Sequence, residues 1–168
     1  MALPATVEQS NRILVLTGFG HHPQAICTMP PLTLSAVIAE LPASAIWAVK
    51  DYQASDDGRH IAQAIKDGTC IAVSDGSYKD NPDTAFWIIE GTDPQYRLQG
   101  ALDIPGHTSD QTPYRSELGG LYAIATMISA VCKHYGITSG SAEIACDGLS
   151  ALNRITEDHH VIRPNAPQ

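Results

Sequence analysis

Leu121, Ile124, Ala125, Ile128, Cys132 and Tyr135 recur at i, i+3, i+4, i+7, i+11 and i+14, the spacing of one apolar stripe along a helix. Thr112 stands where an N-cap hydroxyl belongs, Pro113 where a missing N–H costs nothing, and Gly136 where the chain leaves the helix left-handed. A helix this long with one apolar stripe has to lie on another layer. Its neighbours in sequence supply that layer: apolar runs at Cys70 to Ser74, Ala85 to Glu90 and Tyr96 to Ile104 before it, and Ala142 to Cys146 after it. The turn formers Asp80-Asn81-Pro82-Asp83 and Gly91-Thr92-Asp93-Pro94 join the first three runs as an antiparallel meander. Leu149, Leu152 and Ile155 give a second, shorter helix. The order β-β-β-α-β-α predicts an α/β fold, a mixed sheet of three antiparallel strands plus one parallel strand, flanked by helices.

The residues before Gly68 differ in character, with Pro30-Pro31 and Pro42 interrupting short apolar runs. Thr33 to Leu41 carries helical spacing that Pro42 ends, and Asp56 to Asp67 reads as a helix with Asp56 or Ser55 as cap and Gly68 as stop. The division expected is residues 1–68 as a connecting segment with short helices, 69–158 as the main domain and 159–168 as a flexible tail.

Hydrophobic residues make up 43% of the 168-residue chain and charged residues 17%, a globular composition that a single core accommodates. Ten Lys and Arg against 18 Asp and Glu leave a formal net charge of -8, the wrong sign for gripping nucleic acid by charge alone. Cys27, Cys70, Cys132 and Cys146 include no C-x-x-C pair and read as small buried thiols in a reducing compartment. No secretory leader is legible in Met1 to Ser10, and Leu121 to Cys132 is shorter than the ~20 residues that span a bilayer. The expectation is an intracellular protein of the cytoplasm or nucleus, away from the membrane.

Three acids occupy informative places. Asp75 follows the run Cys70 to Ser74, and Asp147 follows Ala142 to Cys146. Each is trailed by glycine, so each has a plain reading as a turn or helix-cap residue. Glu117 is less easily explained. It lies four residues before Leu121 and seven before Ile124, on the stripe that faces the core, where a carboxylate is costly without a partner. If the first and fourth strands are adjacent and parallel, both aspartates leave the sheet at one end and the long helix brings Glu117 over it. Converging carboxylates repel one another unless hard cations such as Mg²⁺ or Mn²⁺ sit among them.

Three segments carry a resemblance: Ile71-Ala72-Val73-Ser74-Asp75-Gly76-Ser77, Ser116-Glu117-Leu118-Gly119-Gly120-Leu121 and Ala145-Cys146-Asp147-Gly148-Leu149-Ser150-Ala151-Leu152. In this order they resemble the ribonuclease H domains attached to reverse transcriptases of retroelements, over roughly Thr69 to Ile155. The resemblance implies a five-stranded mixed sheet and metal-dependent endonucleolytic cleavage of RNA in RNA-DNA hybrids, as part of a polyprotein with a reverse transcriptase domain. It assigns Asp75, Glu117 and Asp147 as catalytic metal ligands for Mg²⁺, with Mn²⁺ as substitute, and makes residues 1–68 similar to the connection preceding such nuclease domains.

The family pattern continues with another strand, a further helix and a fourth acid, for which this chain has no counterpart before Gln168. The last strand and helix are therefore expected to be missing, and the fourth ligand stays unassigned. Ile13 to Leu16 is a strand candidate for covering the edge this would expose. His21-His22 and His159-His160 read as exposed polar pairs. No Y-x-D-D, Walker-type or G-x-S-x-G motif is present. Two rival readings remain: a noncatalytic ribonuclease H-fold scaffold or nucleic-acid-binding module, and another nuclease of the superfamily, such as a transposase or exonuclease core.

Overall fold

The computed structural model describes residues 6–10, 13–17, 33–78, 82–148 and 151, and the structural statements below concern these. The elements in chain order are β1 (Thr6–Ser10), β2 (Ile13–Thr17), α1 (Leu34–Ala39), α2 (Ala43–Ile46), β3 (Gln53–Ala54), α3 (Arg59–Asp67), β4 (Cys70–Ser77), β5 (Thr84–Glu90), β6 (Leu98–Asp103), α4 (Pro113–Tyr135) and β7 (Ser141–Cys146). They form a mixed α/β structure around one open sheet, in the order β1-β2-β7-β4-β5-β6-β3. Its one parallel pair is β4–β7; all other neighbours are antiparallel.

The expected meander is present as β4, β5 and β6, and β7 pairs in parallel with β4. Ile13–Thr17 pairs antiparallel with β7, Ile13 opposite Ala145 and Thr17 opposite Ser141, so the amino-terminal segment covers that edge as anticipated. Two boundaries differ from expectation. Helix α3 begins at Arg59 with Gly58 as its N-cap at φ 81, while Asp56 accepts from the Gly58 and His60 amides. Asp56 thus satisfies two amides at the helix start from outside it. The helix expected over Thr33 to Leu41 closes at Ala39, and a short second helix restarts after Pro42.

Strand alternation sends Cys70, Ala72 and Ser74 of β4, Ala85, Trp87 and Ile89 of β5, and Ala142, Ile144 and Cys146 of β7 to one buried face. Helix α4 packs on β4 and β5, and α1 and α3 pack on α4. Trp87 is fully buried and lies over Gly100 of β6, its partner in register, where an added methyl would come within 2.8 Å of the ring. A side chain of this size contributes about 1.5–3 kcal/mol by burial. Residues on both sides of Gly68 contribute to a single hydrophobic cluster, including Leu34, Val37, Ile61 and Ile65 from before it. On the opposite face Ile71, Val73 and Phe86 are 49%, 48% and 44% exposed. Among the described residues no helix is long and apolar enough to cross a membrane.

Of the helix expected after Asp147, Ala151 is helical and fully buried. Leu149, Leu152, Ile155, both histidine pairs and Cys27 lie outside the described residues.

Helix α4 is capped as its sequence requires, with Thr112 Oγ1 accepting from Arg115 N and Gly136 left-handed at φ 62. Asp83, 1% exposed, fixes where that cap sits: its carboxylate accepts from Thr112 N at 2.8 Å, and its own carbonyl accepts from Ile104 N at 2.7 Å. Removing the carboxylate deprives a part-buried cap of its acceptor and empties a buried site, so Asp83→Ala is expected to cost about 1–3 kcal/mol of unfolding free energy in a urea titration. A change under a few tenths of a kcal/mol would show that the cap is held in some other way.

Candidate metal centre

Parallel pairing of β4 and β7 aligns Ser74 with Cys146, so Asp75 and Asp147, the next residue on each segment, emerge side by side at one end of the sheet. Asp75 does not follow β4, as the sequence suggested, but lies inside it. The ladder with β5 continues through Asp75 opposite Phe86, Gly76 opposite Ala85 and Ser77 opposite Thr84. A turn role for Asp75-Gly76 is thereby ruled out. Both aspartates are exposed.

The glycines that follow them have a different purpose. A methyl group on Gly76 would sit 2.6 Å from Glu117 N and 2.7 Å from Ser116 C, and one on Gly148 would sit 2.7 Å from Glu117 Cγ. Neither glycine has a left-handed φ. Each is there because the first turns of α4 and the stem of Glu117 occupy the volume a Cβ would need. Gly120 repeats the device against Ser74 Cβ at 2.7 Å. The helix is thereby pressed onto β4, and Glu117 reaches between the two strand ends.

Glu117 is half-buried and held at both oxygens: Gly76 N–H donates to Oε1 at 3.1 Å, and the Cys146 thiol donates to Oε2 at 3.1 Å. Burial pushes its carboxyl above the usual glutamate range. The two hydrogen bonds oppose that shift, and the charges of Asp147 and Asp75 add to it. Ligand atoms of Glu117, Cys146 and Asp147 all lie within 4.8 Å of one another. Asp75 is outside that trio yet near enough for its charge to act on Glu117.

All three acids expected from the sequence thus occupy one end of the sheet, with ligand atoms of Asp147 and Glu117 within 4.8 Å of each other. Cys146 was the residue sequence reasoning passed over, as a plain buried thiol. It is buried, 3% exposed, and burial first, then the bond to Glu117, pushes its thiol up to about 12. The signal that would have found it is alternation: the residue before Asp147 on a strand must point to the helix-covered face, where Glu117 arrives. A surface cleft lined by Trp47, Lys50, Asp51, Thr84 and Asp103 includes none of these residues.

The donor set is chemically mixed. Carboxylate oxygens suit hard divalent cations, and a thiol suits softer ones. A cation would relieve both the repulsion among the acids and the desolvation of Glu117. No family model, curated protein or solved structure matches the chain.

Two expectations follow from this geometry. Gly76→Ala meets backbone atoms and Gly148→Ala meets only a side chain. Gly76→Ala should therefore lose about 1–3 kcal/mol of stability by overpacking, whereas Gly148→Ala should displace Glu117 and weaken divalent-cation binding with a smaller loss. Equal stability losses would contradict this. Because the folded-state pKa of Glu117 is raised, its penalty is absent below the ordinary glutamate range, about 4.3, and complete above the folded-state value. In chelator at neutral pH, Glu117→Gln should then be more stable than the parent, with the difference shrinking on acidification or on adding a divalent cation. A Glu117→Gln protein less stable than the parent in chelator would refute the account.

Proposed function

We propose that the chain is a ribonuclease H-like, metal-dependent endoribonuclease that cleaves RNA in RNA-DNA hybrids, within a retroelement reverse transcriptase polyprotein. The observation that carries this reading is the set of Asp75, Glu117 and Asp147 at one sheet end, delivered by two adjacent parallel strands and the first turns of the helix between them. The three motifs that resemble the family are the segments that build this end.

In this reading Asp75, Glu117 and Asp147 hold Mg²⁺, which when bound supplies charge neutralisation at the phosphodiester and a water of lowered pKa. The chain's own residues do the positioning. Gly76 N–H and the Cys146 thiol fix the two oxygens of Glu117, so this carboxylate meets the site in one orientation and loses little rotamer freedom there. Asp75 and Asp147, both exposed, face the side from which a polyanionic strand approaches. Without a cation the three acids repel a phosphate backbone, and the formal net charge of -8 offers no general attraction to offset this. Binding and cleavage should therefore depend together on the divalent ion.

The test is cleavage of a labelled RNA-DNA hybrid in Mg²⁺ or Mn²⁺ by the parent chain and by Asp147→Asn. We expect cleavage in the parent, and a loss of at least about 10²-fold in the variant, the scale of removing a transition-state-stabilising group. Hybrid binding without cleavage at every Mg²⁺ and Mn²⁺ level would support a noncatalytic scaffold or nucleic-acid-binding module instead. Cleavage of duplex DNA in place of the hybrid would support a transposase- or exonuclease-type core.

A further inference from the structure

We propose that Glu117, Cys146 and Asp147 form a site for one thiophilic divalent cation of the Zn²⁺ or Cd²⁺ type, with Cys146 Sγ as a thiolate ligand. The proposal uses two of the acids assigned above but does not require hybrid cleavage. An all-carboxylate site would favour hard cations; one sulfur donor in a set of three changes which cation is held best.

Three protein ligands and an open position are a donor count that zinc accepts, with bonds of about 2.3 Å to sulfur and about 2.0–2.2 Å to oxygen. Tetrahedral bonds of those lengths place ligand atoms about 3.5 Å apart. Cys146 Sγ and Glu117 Oε2 are already 3.1 Å apart, and the whole set lies within 4.8 Å. The remaining adjustment falls on Asp147, which is exposed and outside β7.

A second, separate observation points to sulfur. Ser74 is 3% exposed, and its Oγ has no hydrogen-bond partner among the described residues. It stands beside Cys146 in the parallel register, on the same covered face. While sulfur carries its proton and donates it to Glu117, it is a weak acceptor and the Ser74 hydroxyl is left over. On binding, the S–H bond breaks, the sulfur–metal bond forms with both electrons from sulfur, and the proton leaves to water. Glu117 Oε2 is then freed to ligate, and Ser74 gains a charged acceptor. One event satisfies both groups.

The full chain, reduced and stripped with chelator, is titrated with Cd²⁺. Two readouts are followed: the ultraviolet sulfur-to-cadmium charge-transfer band and the ¹¹³Cd chemical shift. We expect one tight site, with a band and a shift in the range of one sulfur among oxygens. In Cys146→Ser the band of that site should be lost and affinity should fall by on the order of tenfold or more, a loss that even indirect partners of metal ligands carry. Glu117→Gln, nearly the same shape as the parent residue, should weaken affinity while keeping the band, and it serves where Cys146→Ser fails to fold. An all-oxygen shift, a band that survives in Cys146→Ser, affinity unchanged in Glu117→Gln, or no binding would overturn the proposal. Neither readout needs turnover, so a chain that binds Cd²⁺ this way and cleaves no hybrid fails the nuclease reading alone.

Discussion

The close seating of α4 on β4 is the constraint on which everything else at the sheet end depends. Gly120 lets the helix approach Ser74, Gly76 lets the strand approach the backbone of Ser116 and Glu117, and Gly148 leaves room for the glutamate stem. Interiors are packed too tightly for such an approach to be approximate. A methyl group at Gly76 or Gly120 separates layers whose contact places Glu117, and one at Gly148 displaces the glutamate stem itself. Asp83, buried at the far end of the β4–β5 connection, fixes the start of α4 by holding Thr112, so the helix is fixed both along its axis and towards the sheet.

Electrostatics then follow from packing. Glu117 is carried by the helix into a half-buried place beside two other acids, which disfavours its ionised form. Two donors, one backbone and one thiol, offset part of that cost. The residual cost is what a divalent cation at the proposed site would relieve. A site built this way opposes the stability of the metal-free fold.

Much of this was legible beforehand, where one physical rule dominated locally. The 3.6-residue stripe and its caps placed α4 to the residue, because Thr112, Pro113 and Gly136 each had one role open to them. The β4–β5–β6 meander followed from turn chemistry. The pair β4–β7 was conditional in sequence and is present in the fold. Less legible was whatever depends on a distant partner. Asp75-Gly76 has the composition of a turn, and only the ladder with β5 makes it strand. Asp83 sat in a stretch dense in turn formers, and nothing local announces that its carboxylate is buried against a helix start. Cys146 looked inert because its neighbour Glu117 arrives from a segment 29 residues away.

Sheet order also bears on how the chain is made. Strand β2 lies near the amino end, yet its partner on the inner side is β7, which is synthesised after every other described strand. Until β7 emerges, β2 has one edge open that the finished sheet covers and β4 has another. A single late strand closes both, and the same strand brings Cys146 and Asp147 to Glu117. Non-local pairings of this kind are slow to form, so a nascent chain holds those two edges unpaired for as long as Cys146 and Asp147 are away from Glu117. A cation bound at the finished sheet end, as proposed, would favour the closed state at equilibrium by mass action. Were the proposed cation bound, it would lower how often those two edges reopen to other chains once the sheet is complete.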